Sequence, residues 1–445
     1  MKGTAQKKEP ASYEWIGDIP TGWKIEKLKR ILISPLMYGT NEAAELEDKD
    51  LPRYIRITDF NGDGILREDT FKSLPFDKAE GYYLKEGDVL FARSGATVGK
   101  SFIFNNYKGR ACFAGYLIKA SPNLHKLSPD FLYYYTQSLA YDIWCSSIFT
   151  QATIQNISAT KYAYLPIPLP SITIQHRIVA YLDKTCAAID KAIEAKQKQL
   201  GILDALRKSI IHKAVTRGLD DSVELKDSRV EWIGRIPRNW DVRRIKSIAE
   251  IRYGLGQPPA QKDDGLPMVR ATNVSAGKIT DKDLIYIDAR ELPPGRNPYL
   301  KEGEIIVVRS GAYTGDSAII PKRYAGAVTG YDMVITVTQA EPRFLAYSLL
   351  SDYVLNSQIL LLTLRAAQPH LNAHELGGVR LSLPETRAEQ REICDYLDLK
   401  LAESARITKT IVAQISTLEQ YRKSLIHECV TGKRRITEDD VQGQL

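Results

Sequence analysis

The amino-acid sequence predicts an α+β fold: two pseudo-twofold related mixed α/β domains, joined by two long helices that pair as an antiparallel coiled coil. Three observations predict it. The chain repeats itself once at a nearly constant offset. The first part of each copy has short apolar runs between glycine, proline and tyrosine, and the second part has the spacing of a long helix. At 445 residues the chain has room for two or more domains with their own cores.

One unit of sequence occurs twice along the chain. Five blocks of identical or similar residues recur in the same order, at offsets of 215 to 217 residues. Chance does not hold one offset across five blocks, so the chain contains a duplication. Two copies are too few for a solenoid, and we expect a pseudo-symmetric pair. The matched blocks are 14–20 (EWIGDIP) with 231–237 (EWIGRIP), 84–89 with 300–305, 93–99 with 309–315, 181–183 with 396–398, and 207–212 with 422–427.

The first part of each copy is predicted to be a mixed domain. Apolar runs at 89–93 and 305–309 lead into glycine-containing turns and are predicted to be strands. Residues 132–135 and 344–350 are predicted to be short helices. Strands and short helices within one segment favour an α+β domain.

The second part of each copy is predicted to be one long helix. Between 174–216 and 388–430 there is no proline, and Gly201 is the only glycine. Apolar residues recur at steps of three, four and seven, which is the pattern of a narrow helical seam. The seam residues are Ile178, Leu182, Cys186, Ile189, Ile193, Leu200, Leu203, Ile210 and Ala214 in the first helix, and Ile393, Leu397, Leu401, Ile411, Ile415, Leu418, Leu425 and Cys429 in the second.

A helix of this length needs a partner, because a narrow seam does not stabilise a lone rod of roughly 60 Å in water. We expect the two helices to pair with each other. The alternative is that each helix folds back on its own domain. Proline segments at 165–170 and 383–384 precede the helices, and we expect them to end the strand before each helix.

These patterns divide the chain into seven segments. The segments are an N-terminal tail (1–13), a first domain (14–173), a first long helix (174–218), a linker (219–230), a second domain (231–386), a second long helix (387–432) and a C-terminal tail (433–445).

The composition excludes several classes of protein. No stretch approaches the roughly 18 apolar residues of a membrane span, and the polar residues 1–10 do not resemble a secretory signal, which favours the cytoplasm. The five cysteines are scattered and never spaced as C-x-x-C, so idle thiols in a reducing compartment are expected. The formal charge of +7 suits a polyanionic partner without requiring one.

The predicted geometry suits duplex DNA. Antiparallel helices would place the two domains at opposite ends of a rod with the same twofold symmetry as a duplex. The copies differ in sequence at 37–49 against 253–264, so the two half-sites should differ as well. A bipartite, non-palindromic target follows, and the helices would set the gap between its halves.

Basic and amide side chains in both domains are the candidates for DNA binding, since arginine, lysine and asparagine contact phosphates and base edges. Arg56 and Arg270 occupy equivalent positions, which favours a backbone contact or a structural role. The candidates are Arg53, Arg56, Arg93, Lys100, Lys108 and Arg110 in the first domain, and Arg270, Asn273, Arg309, Lys322 and Arg323 in the second.

No catalytic site is predicted. Residues 95–101 (GATVGKS) are one residue short of a phosphate-binding loop, and a turn between strands is the better interpretation. Residues 297–299 (NPY) are one proline short of the adenine methyltransferase loop. His370 and His374 lack the intervening glutamate of zinc proteases, and no metal site is expected. An enzyme with an unrecognised site and an interaction scaffold that binds no DNA remain alternatives.

The duplicated WIGxIPxxW openings, the RSGAxxG turns and the leucine–proline segments that lead to Gln175 and Gln390 resemble the specificity subunit of type I restriction–modification systems. The resemblance spans about residues 11 to 432. It implies that each mixed domain is a target-recognition domain, and that the helices dock two modification subunits. It also implies that this chain is not catalytic.

The resemblance further implies the chemistry of the partners. S-adenosylmethionine would be bound by the modification subunits, which would methylate adenine after extracting it from the duplex. ATP and Mg²⁺ would serve motor-nuclease subunits that cut unmodified DNA. No cofactor is expected on this chain itself.

Overall fold

The computed structural model describes residues 13–61, 64, 66–95, 97–149, 155–295, 297–363 and 370–442. Ala96, in the predicted glycine turn, lies outside the described residues. The chain forms two compact units. Unit 1 comprises Met1–Lys196 and Ala413–Leu445, and unit 2 comprises Gln197–Val412. Each unit therefore combines one mixed domain with part of both long helices.

Unit 1 has mixed α and β structure. Its helices are α1 (Phe76–Ala79), α2 (Pro129–Tyr135), α3 (Leu139–Phe149) and α4 (Ala159–Ala163), and 3-10 turns cover Leu28–Arg30 and Ile57–Asp59. Its strands are β1 (Lys24–Lys27), β2 (Met37–Tyr38), β3 (Arg53–Ile55), β4 (Asp88–Ala92), β5 (Ser101–Phe104), β6 (Ala111–Phe113), β7 (Leu117–Ala120) and β8 (Pro166–Leu169).

A four-stranded antiparallel sheet, in the order β2-β7-β4-β5, forms the centre of unit 1. All five residues of β4 are buried, because this apolar run lies between two neighbours and is covered on both faces. β3 pairs in parallel with β6, and β1 pairs with β8. Ser128 accepts a hydrogen bond from the Phe131 N–H and so caps α2, whose first residue is a proline.

Unit 2 repeats this plan with additional strands. Its helices are α6 (Ile245–Ile248), α7 (Pro342–Leu349), α8 (Asp352–Val354), α9 (Leu361–Thr363) and α10 (Ala373–Gly378), with a π-helical turn at Leu355–Leu360 and 3-10 turns at Ala271–Asn273, Ala289–Glu291 and Lys322–Tyr324. Its strands are β9 (Leu225–Asp227), β10 (Arg235–Pro237), β11 (Asp241–Arg244), β12 (Ala249–Tyr253), β13 (Gln261–Lys262), β14 (Leu266–Val269), β15 (Val274–Ser275), β16 (Lys278–Ile279), β17 (Ile285–Ile287), β18 (Ile305–Val307), β19 (Ser317–Ile319), β20 (Val328–Thr329), β21 (Met333–Val337) and β22 (Arg380–Leu383).

The sheets of unit 2 match those of unit 1. The order β12-β21-β18-β19 corresponds to β2-β7-β4-β5, and β11 pairs with β22 as β1 pairs with β8. The parallel pair β14–β20 corresponds to β3–β6. The predicted strands at 89–93 and 305–309 and the predicted helices at 132–135 and 344–350 are confirmed, with bounds that shift by a few residues.

Two long helices, α5 (Ile172–Arg217) and α11 (Arg387–Val430), pack against each other in an antiparallel direction within each unit. In unit 1 the start of α5 shares a core with the end of α11, through Ile178 and Leu182 against Leu425 and Cys429. In unit 2 the end of α5 packs against the start of α11. The prediction that the helices pair with each other is confirmed.

The seam between the helices is best buried near the helix ends. Ile178, Leu182 and Leu397 are 0 to 1% exposed, whereas Leu200 and Leu203 are only partly buried. The mixed domains cover the seam at the ends, and this adds burial that the helix pair alone does not supply. Near the end of α5, Ile211 is buried while the predicted seam residue Ile210 is partly exposed.

The glutamines that follow the proline segments hold the helix starts in place. The Gln175 carbonyl oxygen accepts a hydrogen bond from the Ser128 N–H at 2.8 Å, and its amide donates to the Pro170 carbonyl at 3.0 Å. Gln390 makes the matching bonds in unit 2. The expectation that the prolines end the preceding strand was wrong for Pro166 and Pro168, because both residues lie within β8. Among the described strands β8 pairs with β1 alone, so the missing N–H of a proline is tolerated at this edge.

The segment after α11 returns to unit 1. The guanidinium carbon of Arg434 lies 5.1 Å from the centre of the Tyr181 ring, and Ile436 is buried in the unit 1 core. The last helix, α12 (Glu438–Gln442), is joined to α5 by an ion pair of 2.7 Å between Arg177 and Glu438. Among the described residues, no helix combines the length and apolar character needed to cross a bilayer.

Candidate nucleic-acid interface

An arginine held against exposed tyrosines marks the edge of the central sheet in unit 1. Arg93 follows β4, and its guanidinium carbon lies 4.8 Å from the centre of the Tyr38 ring, at the end of β2. The Arg93 N–H donates to the Tyr116 carbonyl oxygen at 3.0 Å. The Tyr38 and Tyr116 side chains are 37% and 66% exposed. We call these three residues the Arg–Tyr cluster of unit 1.

The Arg–Tyr cluster of unit 2 consists of Arg309, Tyr253 and Tyr331. The Arg309 guanidinium carbon lies 4.8 Å from the centre of the Tyr253 ring and 4.2 Å from that of Tyr331. One of its terminal nitrogens is 3.3 Å from Nε2 of His370. Both tyrosines are 44% exposed. The same residue types therefore occupy the same place in both units.

The backbone around the two clusters is also held by matching hydrogen bonds. The Tyr38 hydroxyl accepts from the Ala159 N–H at 2.9 Å, and the Tyr253 hydroxyl accepts from the Ala373 N–H at 2.8 Å. These alanines are the first residues of α4 and α10. In addition, the carbonyls of Arg93 and Arg309 each accept an N–H, at 2.9 and 2.8 Å, from the segment that precedes the short helix.

The arrangement prepares each guanidinium for an anionic or hydrogen-bonding partner. A guanidinium that stacks on a tyrosine ring keeps its in-plane N–H donors free, and its conformational freedom is already reduced. In both clusters the arginine Nε is buried, but the residue as a whole is only partly buried, so the terminal nitrogens are the donors that can face a partner. Phosphate oxygens and the guanine edge both accept bidentate hydrogen bonds from arginine.

The electrostatic surroundings of the two clusters differ. In unit 2 the backbone N–H of Arg309 donates to a carboxylate oxygen of Asp332 at 3.2 Å. Burial raises the pKa of Asp332 to about 6. The corresponding residue in unit 1 is Leu117, which is completely buried. Unit 2 therefore carries a titratable group behind its cluster where unit 1 carries an apolar side chain.

Two of the predicted DNA contacts are structural residues, and the prediction is corrected for them. Arg53 is 0% exposed, and its guanidinium donates to Glu68 and to the Arg67 carbonyl. Asn273 is also 0% exposed, and its side chain accepts from the Arg270 N–H and donates to the Lys282 carbonyl. Side chains placed in this way do not reach a groove or a phosphate.

Arg56 and Arg270 are half-buried at equivalent positions. Arg56 bonds to Asp59 at 2.8 Å and to the Thr70 carbonyl at 2.8 Å. Arg270 donates to the Asp283 carbonyl at 2.8 Å. Both arginines hold a loop of their own domain, in line with the structural alternative considered for this pair.

The other candidates are exposed, and they lie on two kinds of loop. Lys100 belongs to the glycine turn that follows Arg93, and its carbonyl accepts the Ala92 N–H at 2.8 Å. Lys108 and Arg110 lie between β5 and β6, and Lys322 and Arg323 lie in the equivalent connection between β19 and β20. Lys100 thus lies in the turn next to Arg93. The other four exposed cations lie on a different loop, which occurs once in each unit.

Sequence reasoning missed the tyrosines of both clusters. The repeated pair Tyr38-Gly39 and Tyr253-Gly254 lies where the two copies otherwise differ, and its offset of 215 residues marks it as part of the repeat. The glycines are needed because the backbones approach closely here. A Cβ at Gly39 would lie 2.2 Å from the Phe113 carbonyl oxygen, and one at Gly254 would lie 2.3 Å from that of Gly330.

The predicted glycine turn joins two strands in each unit. β4 and β5 are adjacent antiparallel strands, and Gly95 and Gly99 adopt positive φ angles of 81° and 86° between them. Among the described residues, no group of three or more histidine, cysteine or carboxylate side chains is placed to hold a metal ion.

Two copies of one mixed domain, each with a matched basic and aromatic cluster, define a duplicated two-domain protein. A family model described as the type I restriction modification DNA specificity domain matches residues 20–200 and 237–417. These two matches cover most of the chain, so the protein belongs to this family.

Comparisons with individual proteins agree with this assignment. A putative type I restriction enzyme MjaX specificity subunit from Methanocaldococcus jannaschii is 23% identical over 440 residues, covering 95% of this chain and 96% of that protein. The EcoKI specificity subunit of Escherichia coli is 22% identical over 433 residues, covering 94% and 90%. The protein is thus similar to these subunits over nearly its whole length.

Solved structures share the fold. One chain, from a study of complex assembly and conformational transition of the type I R-M system, superposes with a TM-score of 0.71 at 15% identity, covering 94% of this chain and all of that chain. The HsdS subunit from Thermoanaerobacter tengcongensis gives a TM-score of 0.51 at 15% identity, covering 94% and 98%. At such identities the likeness concerns the fold alone.

Proposed function

We propose that this chain is the DNA-reading subunit of a type I restriction–modification complex, and that it binds an asymmetric bipartite target with one half-site per mixed domain. The observation that carries the proposal is the pair of Arg–Tyr clusters. Each unit presents one stacked arginine, Arg93 or Arg309, beside exposed tyrosines at an equivalent place in the fold. Family membership and the similarity to specificity subunits support the same function.

The two halves of the target are proposed to differ because the surroundings of the clusters differ. Lys100 in the glycine turn of unit 1 corresponds to Asp316 in unit 2, which reverses the sign of the charge beside the cluster. The loop cations also change position, from Lys108 and Arg110 to Lys322 and Arg323. We propose that the exposed cations of both units bind the DNA together with Arg93 and Arg309. These cations are Lys100, Lys108, Arg110, Lys322 and Arg323. Arg53 and Asn273 are left out of the set because both are buried.

The paired helices are proposed to dock two methyltransferase subunits. Large apolar side chains outside the seam support this role, since Ile202 and Leu399 are each 67% exposed and Val412 is 52% exposed. In unit 2 a cavity of about 770 Å³ also opens between α5, α11 and the β15–β16 turn. S-adenosylmethionine, ATP and Mg²⁺ would act on partner subunits, including motor-nuclease subunits, while this chain remains non-catalytic.

Selection from a random DNA pool tests the proposal. The full chain, purified with its methyltransferase partner, is expected to enrich one bipartite sequence with two different halves and a fixed gap. Mapping methylated adenines in the source cell should return the same sequence. A pool that shows no enrichment would rule out DNA reading and favour a protein scaffold.

Domain exchange separates the two halves. Replacing residues 14–173 with the matching segment of a relative is expected to change one half-site and leave the other intact. A change in both halves would contradict the assignment of one half-site to each domain. The purified chain alone, given DNA, S-adenosylmethionine and Mg²⁺, is expected neither to methylate nor to cleave.

A further inference from the structure

A second set of basic side chains recurs between the units, apart from the residues proposed above. Lys27 ends β1, and Lys29 lies in the 3-10 turn that follows it. Arg244 and Lys246 occupy the same two places in unit 2, at the end of β11 and in α6. Both pairs are related by an offset of 217 residues, the same as for the WIGxIP openings.

In unit 1 these cations gather around an exposed aromatic ring at the end of α4. The Lys29 ammonium lies 3.9 Å from the centre of the Tyr164 ring, and that of Lys27 lies 5.2 Å from it. Tyr164 is 50% exposed, and the neighbouring Lys29 lowers its pKa. Lys161, on α4, is exposed as well. Within the described part of the chain, none of the three lysines forms an ion pair.

In unit 2 the cations face each other across a strand pair. Arg244 of β11 lies directly opposite Arg380 of β22, and Lys246 packs beside Gly377 at the end of α10. Like charges directly opposite each other in a sheet are destabilising. Among the residues that the structure covers, no carboxylate forms an ion pair with these three side chains. The three cations are therefore available to an external anion, which would also offset the repulsion between Arg244 and Arg380.

A single short helix connects each set of cations to an Arg–Tyr cluster. The N–H of Ala159, the first residue of α4, donates to the Tyr38 hydroxyl, and Tyr164 directly follows the helix. The corresponding helix in unit 2, α10, begins with the Ala373 N–H bonded to Tyr253. A helix of five residues rises roughly 7.5 Å, and one DNA strand carries a phosphate about every 3.4 Å along the axis. The distance suits two phosphates of one strand.

We propose that these two basic strips, Lys27, Lys29 and Lys161 in unit 1 and Arg244, Lys246 and Arg380 in unit 2, bind phosphates of the DNA strand next to each Arg–Tyr cluster. The inference rests on the proposed function. Because two of the three positions are shared by domains that read different half-sites, the strips hold the duplex without reading its sequence. Phosphate contacts fix the register and orientation of a protein on DNA in this way.

Salt dependence of binding tests the strips directly. The full chain and its Lys27→Gln/Lys29→Gln and Arg244→Gln/Lys246→Gln variants, each purified with the methyltransferase partner, are titrated with a fluorescent 30-base-pair duplex of random sequence between 50 and 300 mM salt. Removing one bond to a phosphate should reduce the slope of log K against log salt by about 0.9, so the slope of each double variant should fall by about 1.8. Glutamine keeps most of the side-chain stem, and thermal unfolding confirms that the variants fold.

A matched control removes two lysines elsewhere in unit 1. Lys85 and Lys126 are exposed, and Lys85→Gln/Lys126→Gln changes the net charge by the same amount. The control should retain the wild-type slope. An equal reduction of the slope in the control would overturn the proposal that the strips bind phosphates, because the effect would then be one of overall charge.

The remaining outcomes distinguish the strips from the proposed function. If the wild type selects its target but the strip variants keep its salt slope, the proposal that the strips bind phosphates is wrong. The proposed DNA-reading function is then unaffected. If the wild-type complex with the methyltransferase partner binds no duplex at all, both the strips and the proposed function are contradicted. A strip variant that binds DNA normally but no longer assembles with the methyltransferase subunit would identify the strip as a protein-docking surface and overturn the inference. Loss of target preference with an unchanged slope would also contradict it.

Discussion

The two Arg–Tyr clusters share a frame and differ in what lies behind it. In both, a tyrosine hydroxyl accepts the first N–H of a short helix, and the arginine carbonyl accepts an N–H from the segment before that helix. The backbone N–H of the arginine, however, donates to the Tyr116 carbonyl in unit 1 and to the Asp332 carboxylate in unit 2. The duplication thus kept the backbone that aims the arginine and changed the charge beneath it.

A similar difference lies one strand away. In unit 2 the buried Glu304 carboxylate accepts two hydrogen bonds of 2.6 Å from Arg252, which lower its pKa although burial acts to raise it. In unit 1 the equivalent Asp88 accepts from Ser121, and Met37 stands in place of Arg252. The same buried acidic position accepts a hydroxyl hydrogen bond in both units, from Thr336 and from Ser121, and in unit 2 it also forms a salt bridge with Arg252.

The largest expected effect comes from breaking the salt bridge. Arg252→Met, which places the unit 1 residue in unit 2, leaves the Glu304 carboxylate buried without its partner. Unit 2 should lose between about 3 and 5 kcal/mol of unfolding free energy. Hydrogen exchange of unit 2 peptides measures the loss. As a control, Arg238→Met breaks an exposed pair with Glu224 and should leave exchange unchanged. Wild-type exchange in Arg252→Met would show that the pair does not stabilise unit 2.

The next effect concerns pH. Because the pKa of Asp332 is raised to about 6 in the folded protein from an ordinary 3.8, the folded state binds more protons than the unfolded state between these values. The stability of unit 2 should therefore fall as pH rises from 4 to 7, by about 2 kcal/mol. Asp332→Asn should remove this fall and be more stable than wild type at pH 7.

Unit 1 provides the control for this pH effect, because Leu117 stands at the position of Asp332. Its exchange rates, corrected for intrinsic chemistry, should show no matching change between wild type and Asp332→Asn. If the variant and the wild type respond to pH alike in unit 2, Asp332 does not titrate as proposed.

A smaller effect tests whether the clusters are functionally equal. Arg93→Lys and Arg309→Lys keep the charge but lose the planar group that stacks on tyrosine. Each should weaken binding of the selected target about tenfold, or about 1.4 kcal/mol. Fluorescence anisotropy with the target duplex measures the loss. A tenfold loss for one substitution and none for the other would show that the clusters have different roles despite their shared frame.

The smallest effect concerns the tyrosine hydroxyls. Tyr38→Phe and Tyr253→Phe remove the acceptor of the Ala159 and Ala373 N–H groups but keep the rings beneath the guanidiniums. Each should lower the unfolding free energy by about 0.5 to 1 kcal/mol, as measured by chemical denaturation. Target affinity should be nearly unchanged. A large loss of affinity would instead assign the hydroxyls a direct contact with DNA.

Periodic and repeated features were the predictable part of the fold. The duplicated blocks identified two equivalent domains, and the heptad spacing identified the helix pair, since both patterns can be read from the order of residue types alone. The burial of Arg53 was not predictable, because the side chains of Glu68, Phe71 and Tyr107 that surround it come from distant positions. Pro166 and Pro168 in β8 were missed because an edge position depends on the sheet order.

The candidate site was only partly predictable for the same reason. Arg93 and Arg309 stood out through their repeated turn, but the tyrosines that hold them come from other strands. Asn273 is a residue type that often contacts DNA, but here its amide donates to the Thr280 and Lys282 carbonyls and stabilises a loop. Residue type indicates what a side chain can bind, whereas burial decides whether it is available.

The composition of unit 1 has a consequence for synthesis on the ribosome. Unit 2 is one continuous segment, but the core of unit 1 includes Leu425, Cys429 and Ile436 from the far end of the chain. At 5 to 20 residues per second, the stretch from Gln197 to Val430 takes roughly 10 to 50 s to translate. During that time α11 has not yet been translated, so the α5 residues that it covers in the finished fold, such as Ile178 and Leu182, lack their partners. The first unit to be translated is therefore the last to be completed.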